Sequence, residues 1–151
     1  MKNRVFPSFF LSLLFAGSPI TAGAASSADV VFYGATAAGV MGAIQAHRSG
    51  LKTVVISPSE RIGGMTTGGL GATDFGSKTS VSGLAKEFYQ RIYETYLEPS
   101  RWVHETRDEF VMRHPDTVSE DLKMQWFFEP KVALEVLEKM LAETGVEVWK
   151  G

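Results

Sequence analysis

Between Asp29 and Ile56 the chain spells out a strand, a glycine turn, a helix, a glycine stop and a second strand, and few folds can accept that order. Asp29-Val30-Val31-Phe32-Tyr33 is a near-continuous apolar run rich in β-branched and aromatic residues, as in a strand buried on both faces. Gly34 ends it. From Ala37 to Ser49 the residues are small or helix-forming, with Val40, Ile44 and His47 on one stripe. Gly39, Gly42, Ala43 and Ala46 allow that helix to pack closely, and Gly50 stops it. Lys52-Thr53-Val54-Val55-Ile56 is the second strand. Two strands joined by a helix within about 30 residues must run parallel, with a right-handed crossover. The expectation is therefore an α/β fold around a parallel sheet.

The rest of the chain extends that pattern after an interruption. Gly63 to Gly83 is crowded with glycine, serine and threonine, yet Met65, Leu70 and Phe75 are spaced through it. Flexible linkers rarely carry large apolar residues, so an ordered loop is expected. Leu84, Phe88, Ile92 and Tyr96 recur at helical spacing and predict a helix over 84–97, ended by Pro99. Arg101 to Gln125 is polar and irregular and is expected to form surface loops or a short hairpin. Residues 76–128 thus look like a loop and helical insertion. Glu129-Pro130 opens another helix, with Val132, Leu134, Val136, Leu137, Met140 and Leu141 on its apolar face and Gly145 at its end. Val146-Glu147-Val148-Trp149 begins a third strand.

The first residues belong to targeting. Met1-Lys2-Asn3-Arg4 is a short positive segment, Val5 to Ala16 an apolar run, and Ala22 and Ala24 a small-x-small pattern suited to cleavage. We expect a signal peptide over 1–24, cleaved after Ala24, and export to the periplasm or beyond. A membrane anchor or a buried N-terminal helix is disfavoured, because the run is short and Pro7 and Pro19 interrupt it. The mature chain, 25–151, has room for one domain. Hydrophobic residues make up 44% and charged residues 21% of the sequence, which argues against a disordered chain. The net charge of −2, with its basic residues scattered, gives no nucleic-acid footprint. Cysteine is absent, which excludes disulfides, thiol catalysis and Cys-ligated metals within this segment. His47, His104 and His114 have no metal-site spacing, and no metal is expected.

Gly34-Ala35-Thr36-Ala37-Ala38-Gly39 stands where a G-x-G-x-x-G dinucleotide fingerprint belongs. Gly34 suits the tight turn, Gly39 the close approach of helix and sheet, and the amides from Thr36 to Ala38 an anion site on the helix dipole. Thr36 replaces the middle glycine; its side chain narrows the diphosphate approach but brings a hydroxyl. At the tip of the second strand, where a ribose-binding acid is usual, stands Ser57, with Glu60 three residues on. A plain strand-to-helix turn is the competing reading of this motif.

The stretch 29–39, together with Ser57-Pro58-Ser59-Glu60-Arg61-Ile62-Gly63-Gly64-Met65-Thr66-Thr67-Gly68-Gly69-Leu70-Gly71-Ala72-Thr73-Asp74, resembles the FAD-dependent oxidoreductase family. This is the group of glutathione-reductase-type flavoproteins that includes exported bacterial members. Phe128-Glu129-Pro130 with its following helix and Val-x-Val strand is also similar to that family. The resemblance implies a Rossmann-like FAD-binding domain over 25–151, completed by chain beyond Gly151. It implies that Gly34, Thr36, Ala37, Ala38 and Gly39 line the FAD diphosphate and that Ser57 and Pro58 sit near the adenosine ribose. It further implies that Gly63, Gly64, Met65 and Thr66 run along the diphosphate and flavin side, with Val148 offering backbone to adenine. The implied activity is hydride or electron transfer with a small-molecule or carbohydrate-like substrate, by catalytic residues lying largely beyond Gly151. Two other readings stand beside it: a secreted, non-catalytic α/β binding domain with a vestigial nucleotide fold, and an NAD-linked dehydrogenase, which Ser57 in place of an acid disfavours.

Overall fold

The computed structural model describes residues 27–151; the expected signal peptide lies outside the described residues. Three parallel strands, β1 (Val30–Tyr33), β2 (Thr53–Ser57) and β5 (Glu147–Lys150), form a sheet in the order β1-β2-β5. The connections are α1 (Ala37–Arg48) between β1 and β2, and a long excursion ending in α5 (Pro130–Ala142) between β2 and β5. Val31 pairs with Val54 and Tyr33 with Ile56, and Ile56 in turn with Trp149. The start of the sheet is tied by Asp29, whose backbone amide donates to Lys52 O at 2.8 Å and whose Oδ2 accepts from Lys52 N at 2.7 Å.

Pairing in a parallel sheet puts partners on the same face, so the register sorts the side chains. Phe32, Val55 and Val148 point toward the helices and join one apolar core with Val40 and Ile44 of α1 and Val132, Leu137 and Met140 of α5. Val31, Tyr33 and Trp149 point the other way and are about half exposed or more.

The excursion after β2 is tied to the core at several points. A short helix, α2 (Met65–Gly68), follows the first glycine pair, and its Thr67 is buried, the hydroxyl donating to Ile62 O. Thr73 N and Oγ1 both donate to Trp126 O, and the Phe75 ring lies 4.8 Å from that of fully buried Trp126. Helix α3 (Gly83–Thr95) then gives Phe88 and Ile92 to the same core as the sheet, and Tyr96 at its end follows them. Much of the segment expected as an insertion is therefore part of the core.

Between Arg101 and Gln125 a hairpin does form, from β3 (Val118–Ser119) and β4 (Met124–Gln125). A helix precedes it, α4 (Arg107–Arg113), where irregular chain was expected. Its cause is local: Thr106 Oγ1 accepts from Glu109 N, and the Glu109 carboxylate accepts from Thr106 N at 2.8 Å, a complete capping box. Charge clamps the helices together. Glu87 of α3 accepts from Arg48 of α1 at 2.6 Å and from Arg91 at 2.8 Å, and Arg91 reaches Glu143 beyond α5 at 2.6 Å. Among the described residues, no helix is long and apolar enough to cross a membrane.

Candidate functional site: a diphosphate cradle at the first helix

The turn out of β1 is built from backbone. Gly34 takes φ +106°, a conformation costly for any residue with a Cβ, and its amide donates to Ile56 O at 2.8 Å. Thr36 is the N-cap of α1, in extended conformation at φ −65° and ψ 168°, and its Oγ1 accepts from Gly39 N at 3.1 Å. That takes one of the first-turn amides. Ala38 N finds no acceptor among the described residues, and Ala38 and Thr36 are both exposed. No acid sits in the first turn to neutralise the positive end of the helix dipole, while His47 and Arg48 complement the other end.

Gly39 is where helix and strand come closest. A Cβ there would stand 3.4 Å from the Gly34 carbonyl carbon and 3.5 Å from Thr36 Oγ1, with the carbonyl oxygen nearer still, well inside contact distance. Gly63 extends the cradle: its amide donates to Ala35 O at 2.7 Å, forming a parallel bridge to Thr36. The structure thus brings Gly34, Thr36, Ala37, Ala38, Gly39, Gly63 and Gly64 into one corner, with an added Gly64 Cβ only 3.5 Å from Thr36 Cα. Thr66 joins Ala37, Ala38 and Met41 around a small apolar hollow of about 190 Å³, and Met65 beside it is exposed. These features fit a dinucleotide diphosphate: an unspent amide, an uncompensated dipole and a largely backbone surface to which Thr36 adds one hydroxyl.

At the C-terminal edge of the sheet a groove of about 380 Å³ is lined by Tyr33, Ile56, Ser57, Pro58, Trp149 and Lys150. The Ser57 hydroxyl does not face it freely. It is buried, donates to Ser59 O at 2.6 Å and accepts from Ser59 N at 3.3 Å, so it serves its own turn. Glu60 is the exposed acid at this edge, 4.0 Å from Lys150 Nζ. Val148 stands opposite Val55 on the edge strand β5, two residues short of the strand ends. Asp74 and Arg61 are exposed. Sequence reasoning passed over Tyr33 and Trp149 as groove-lining residues, although strand alternation would have set them on the face away from α1.

Comparison with known proteins agrees with this geometry. The profile of the FAD dependent oxidoreductase family matches residues 29–151, the whole span from the first strand onward. No curated protein matches the chain. The fold is Rossmann-like, with its parallel sheet and helices, and the chain belongs to the FAD dependent oxidoreductase family, whose cofactor is FAD.

Proposed function

We propose that residues 25–151 hold the diphosphate and adenosine half of FAD in an exported, glutathione-reductase-type oxidoreductase acting on a small molecule. FAD supplies the redox chemistry, and the protein supplies binding, orientation and the exclusion of water. The observation that carries the reading is the start of α1, where Ala38 N is left for an anion and Thr36 orders the turn. The Thr36 hydroxyl accepts from Gly39 N, so its own proton remains free to donate to a phosphate oxygen. Gly63 and Gly64 let the second loop pass close to the same diphosphate. Over the groove at the sheet edge, Tyr33 and Trp149 offer flat apolar faces to adenine, and Glu60, not the occupied Ser57, is the acid placed to meet the ribose.

Export rests on the N-terminal pattern of charge, apolar run and small residues in 1–24. Titration of the purified chain with FAD, followed by quenching of flavin fluorescence, tests the proposal. Saturable binding that Gly39→Ala weakens at least about tenfold supports it. Binding that never saturates, or that ignores Gly39→Ala, overturns it and favours the non-catalytic domain.

A further inference from the structure

Ile62 and Gly63 share a peptide unit that is gripped at both ends. Its N–H donates to Ala35 O at 2.7 Å, in the turn that leaves β1. Its C=O accepts from the hydroxyl of Thr67 in α2. Thr67 is 1% exposed, and Ile62 and Ala35 are buried as well, so water has little access to replace either bond.

The direction of that unit depends on those two bonds. Its rotation is governed by ψ of Ile62 and φ of Gly63, and Gly63 sits at φ +93°. Glycine reaches that region about as readily as the negative side, so local sterics leave the peptide free to turn. Thr67 is packed against the unit it holds: a Cβ at Gly63 would run into the Thr67 methyl and stand 2.8 Å from Thr67 Oγ1. A hydroxyl in a helix ordinarily bonds back to its own preceding turn. Here the carbonyl in that place, Gly64 O, lies 3.4 Å away, and the closer partner is Ile62 O, outside the helix.

What the peptide holds in place is the diphosphate corner. Ala35 immediately precedes Thr36, the N-cap of α1, and the bridge between Thr36 and Gly63 runs through the Gly63 N–H. Gly64 comes next, close enough that its added Cβ would stand 3.5 Å from Thr36 Cα. Turning the peptide would withdraw the donor from buried Ala35 O and loosen both walls of the corner together.

We propose that Thr67 is a positioning residue for FAD. By holding Ile62 O it aims the Gly63 N–H at Ala35 O and keeps the turn around Thr36 in the shape that receives the diphosphate. The claim rests on the flavoenzyme reading above and extends it to a side chain too deeply buried to touch the cofactor.

Two variants separate the hydroxyl from the packing. Thr67→Val keeps the shape and loses the donor, whereas Thr67→Ser keeps the donor and loses a buried methyl. Both should melt below the parent, but FAD affinity should follow the hydroxyl alone. It should fall at least about tenfold in Thr67→Val and stay within about threefold of the parent in Thr67→Ser. A Thr67→Val chain that binds FAD as the parent does overturns the proposal. So does an affinity that tracks melting temperature through both variants, since that is a packing effect.

The Gly63 amide gives a second readout. Its hydrogen exchange, followed by NMR, should be slow in the parent and in Thr67→Ser and markedly faster in Thr67→Val. Should Thr67→Val fold poorly, Thr67→Ala takes its place in both measurements. If that too is lost, an unprotected Gly63 amide in the parent overturns the proposal, and a protected one that Thr67→Ser preserves upholds it. A parent chain that binds no FAD sinks the cofactor reading instead, and the Gly63 exchange rates then decide by themselves whether Thr67 holds the peptide.

Discussion

Replacing Gly39 by alanine asks one methyl group to occupy the closest approach between α1 and the turn that leaves β1. The added carbon would lie 3.4 Å from the Gly34 carbonyl carbon and much nearer its oxygen. Ordinary contact requires a retreat of about 1 Å, and the atom that must retreat is backbone, so no rotamer relieves it. Gly34 is itself held, through its amide, to Ile56 O at 2.8 Å, so it resists moving away from the helix. Overpacking of this kind costs about 1–3 kcal/mol. Alanine gains up to about 1 kcal/mol over glycine within a helix, less at the third position, which offsets part of it. The net expectation is a loss of roughly 1–2 kcal/mol, or about 4–10 °C in Tm for a domain of this size. The same displacement tilts the Ala38 amide and the Thr36 hydroxyl away from the diphosphate, and FAD affinity should fall at least about tenfold, equivalent to about 1.4 kcal/mol.

Gly42→Ala is the control. Its Cβ would stand 2.6 Å from Phe32 Cε1, a side-chain ring, and it lies one turn further along α1. It should lower Tm without changing FAD affinity. Thermal melts by circular dichroism and parallel FAD titrations of the two variants decide the matter. A Gly39→Ala protein as stable as its parent, and as good at binding FAD, would refute the claim that close packing at this turn shapes the site.

Three further outcomes follow from the packing. Gly71→Ala would drive a Cβ into Phe128 O at the bridge where Phe128 N donates to Gly71 O at 2.8 Å; urea titration should show a loss of about 2–3 kcal/mol. Tyr96 is buried, accepts from Glu129 N at 2.8 Å, and its phenol is pushed up to about 12, chiefly by burial. Because the folded value is the raised one, its contribution is full below pH 10 and is lost as pH rises toward about 12. Tyr96→Phe should flatten that alkaline loss of stability and cost about 1–2 kcal/mol at neutral pH, measured by denaturant midpoints across the range. The Arg48 guanidinium, with Arg91, holds the Glu87 carboxyl below its ordinary value, so that contribution is present at neutral pH and fades as acid protonates the carboxylate. Glu87→Gln should cost about 0.5–1 kcal/mol in low salt and less in high salt, by the same midpoints.

What the sequence disclosed divides along the range of the interactions involved. The strand at Val30–Tyr33, the helix after Thr36 and the helix opened by Pro130 were legible because their periodicity and punctuation are local. The helix at Arg107–Arg113 was local too: Thr106 and Glu109 spell a capping box, overlooked because the flanking residues are polar and offer no apolar stripe. The fate of the Ser57 hydroxyl was readable in principle, since Ser57-Pro58-Ser59 is turn chemistry that competes for it. Two features were out of reach. The setting of Val148 within the sheet depends on its pairing with Val55, ninety-three residues earlier in the chain. The orphaned oxygen of Gln125, which has no hydrogen-bond partner among the described residues, depends on a hairpin of two-residue strands carried against α3.

Thr36 shows how a departure from a motif can be absorbed by the structure. A middle glycine is needed where the backbone must adopt a left-handed conformation or where a side chain would block the ligand. Neither demand holds here. At φ −65° the position is open to any residue, and the exposed side chain folds back to cap the helix at Gly39 N. The hydroxyl that could have obstructed the diphosphate instead removes an orphan donor from the first turn, and it keeps its own proton for the ligand. A threonine at this point therefore exchanges some room above the helix for order in its first turn, and the anion site passes from a pure backbone surface to one with a single polar side chain.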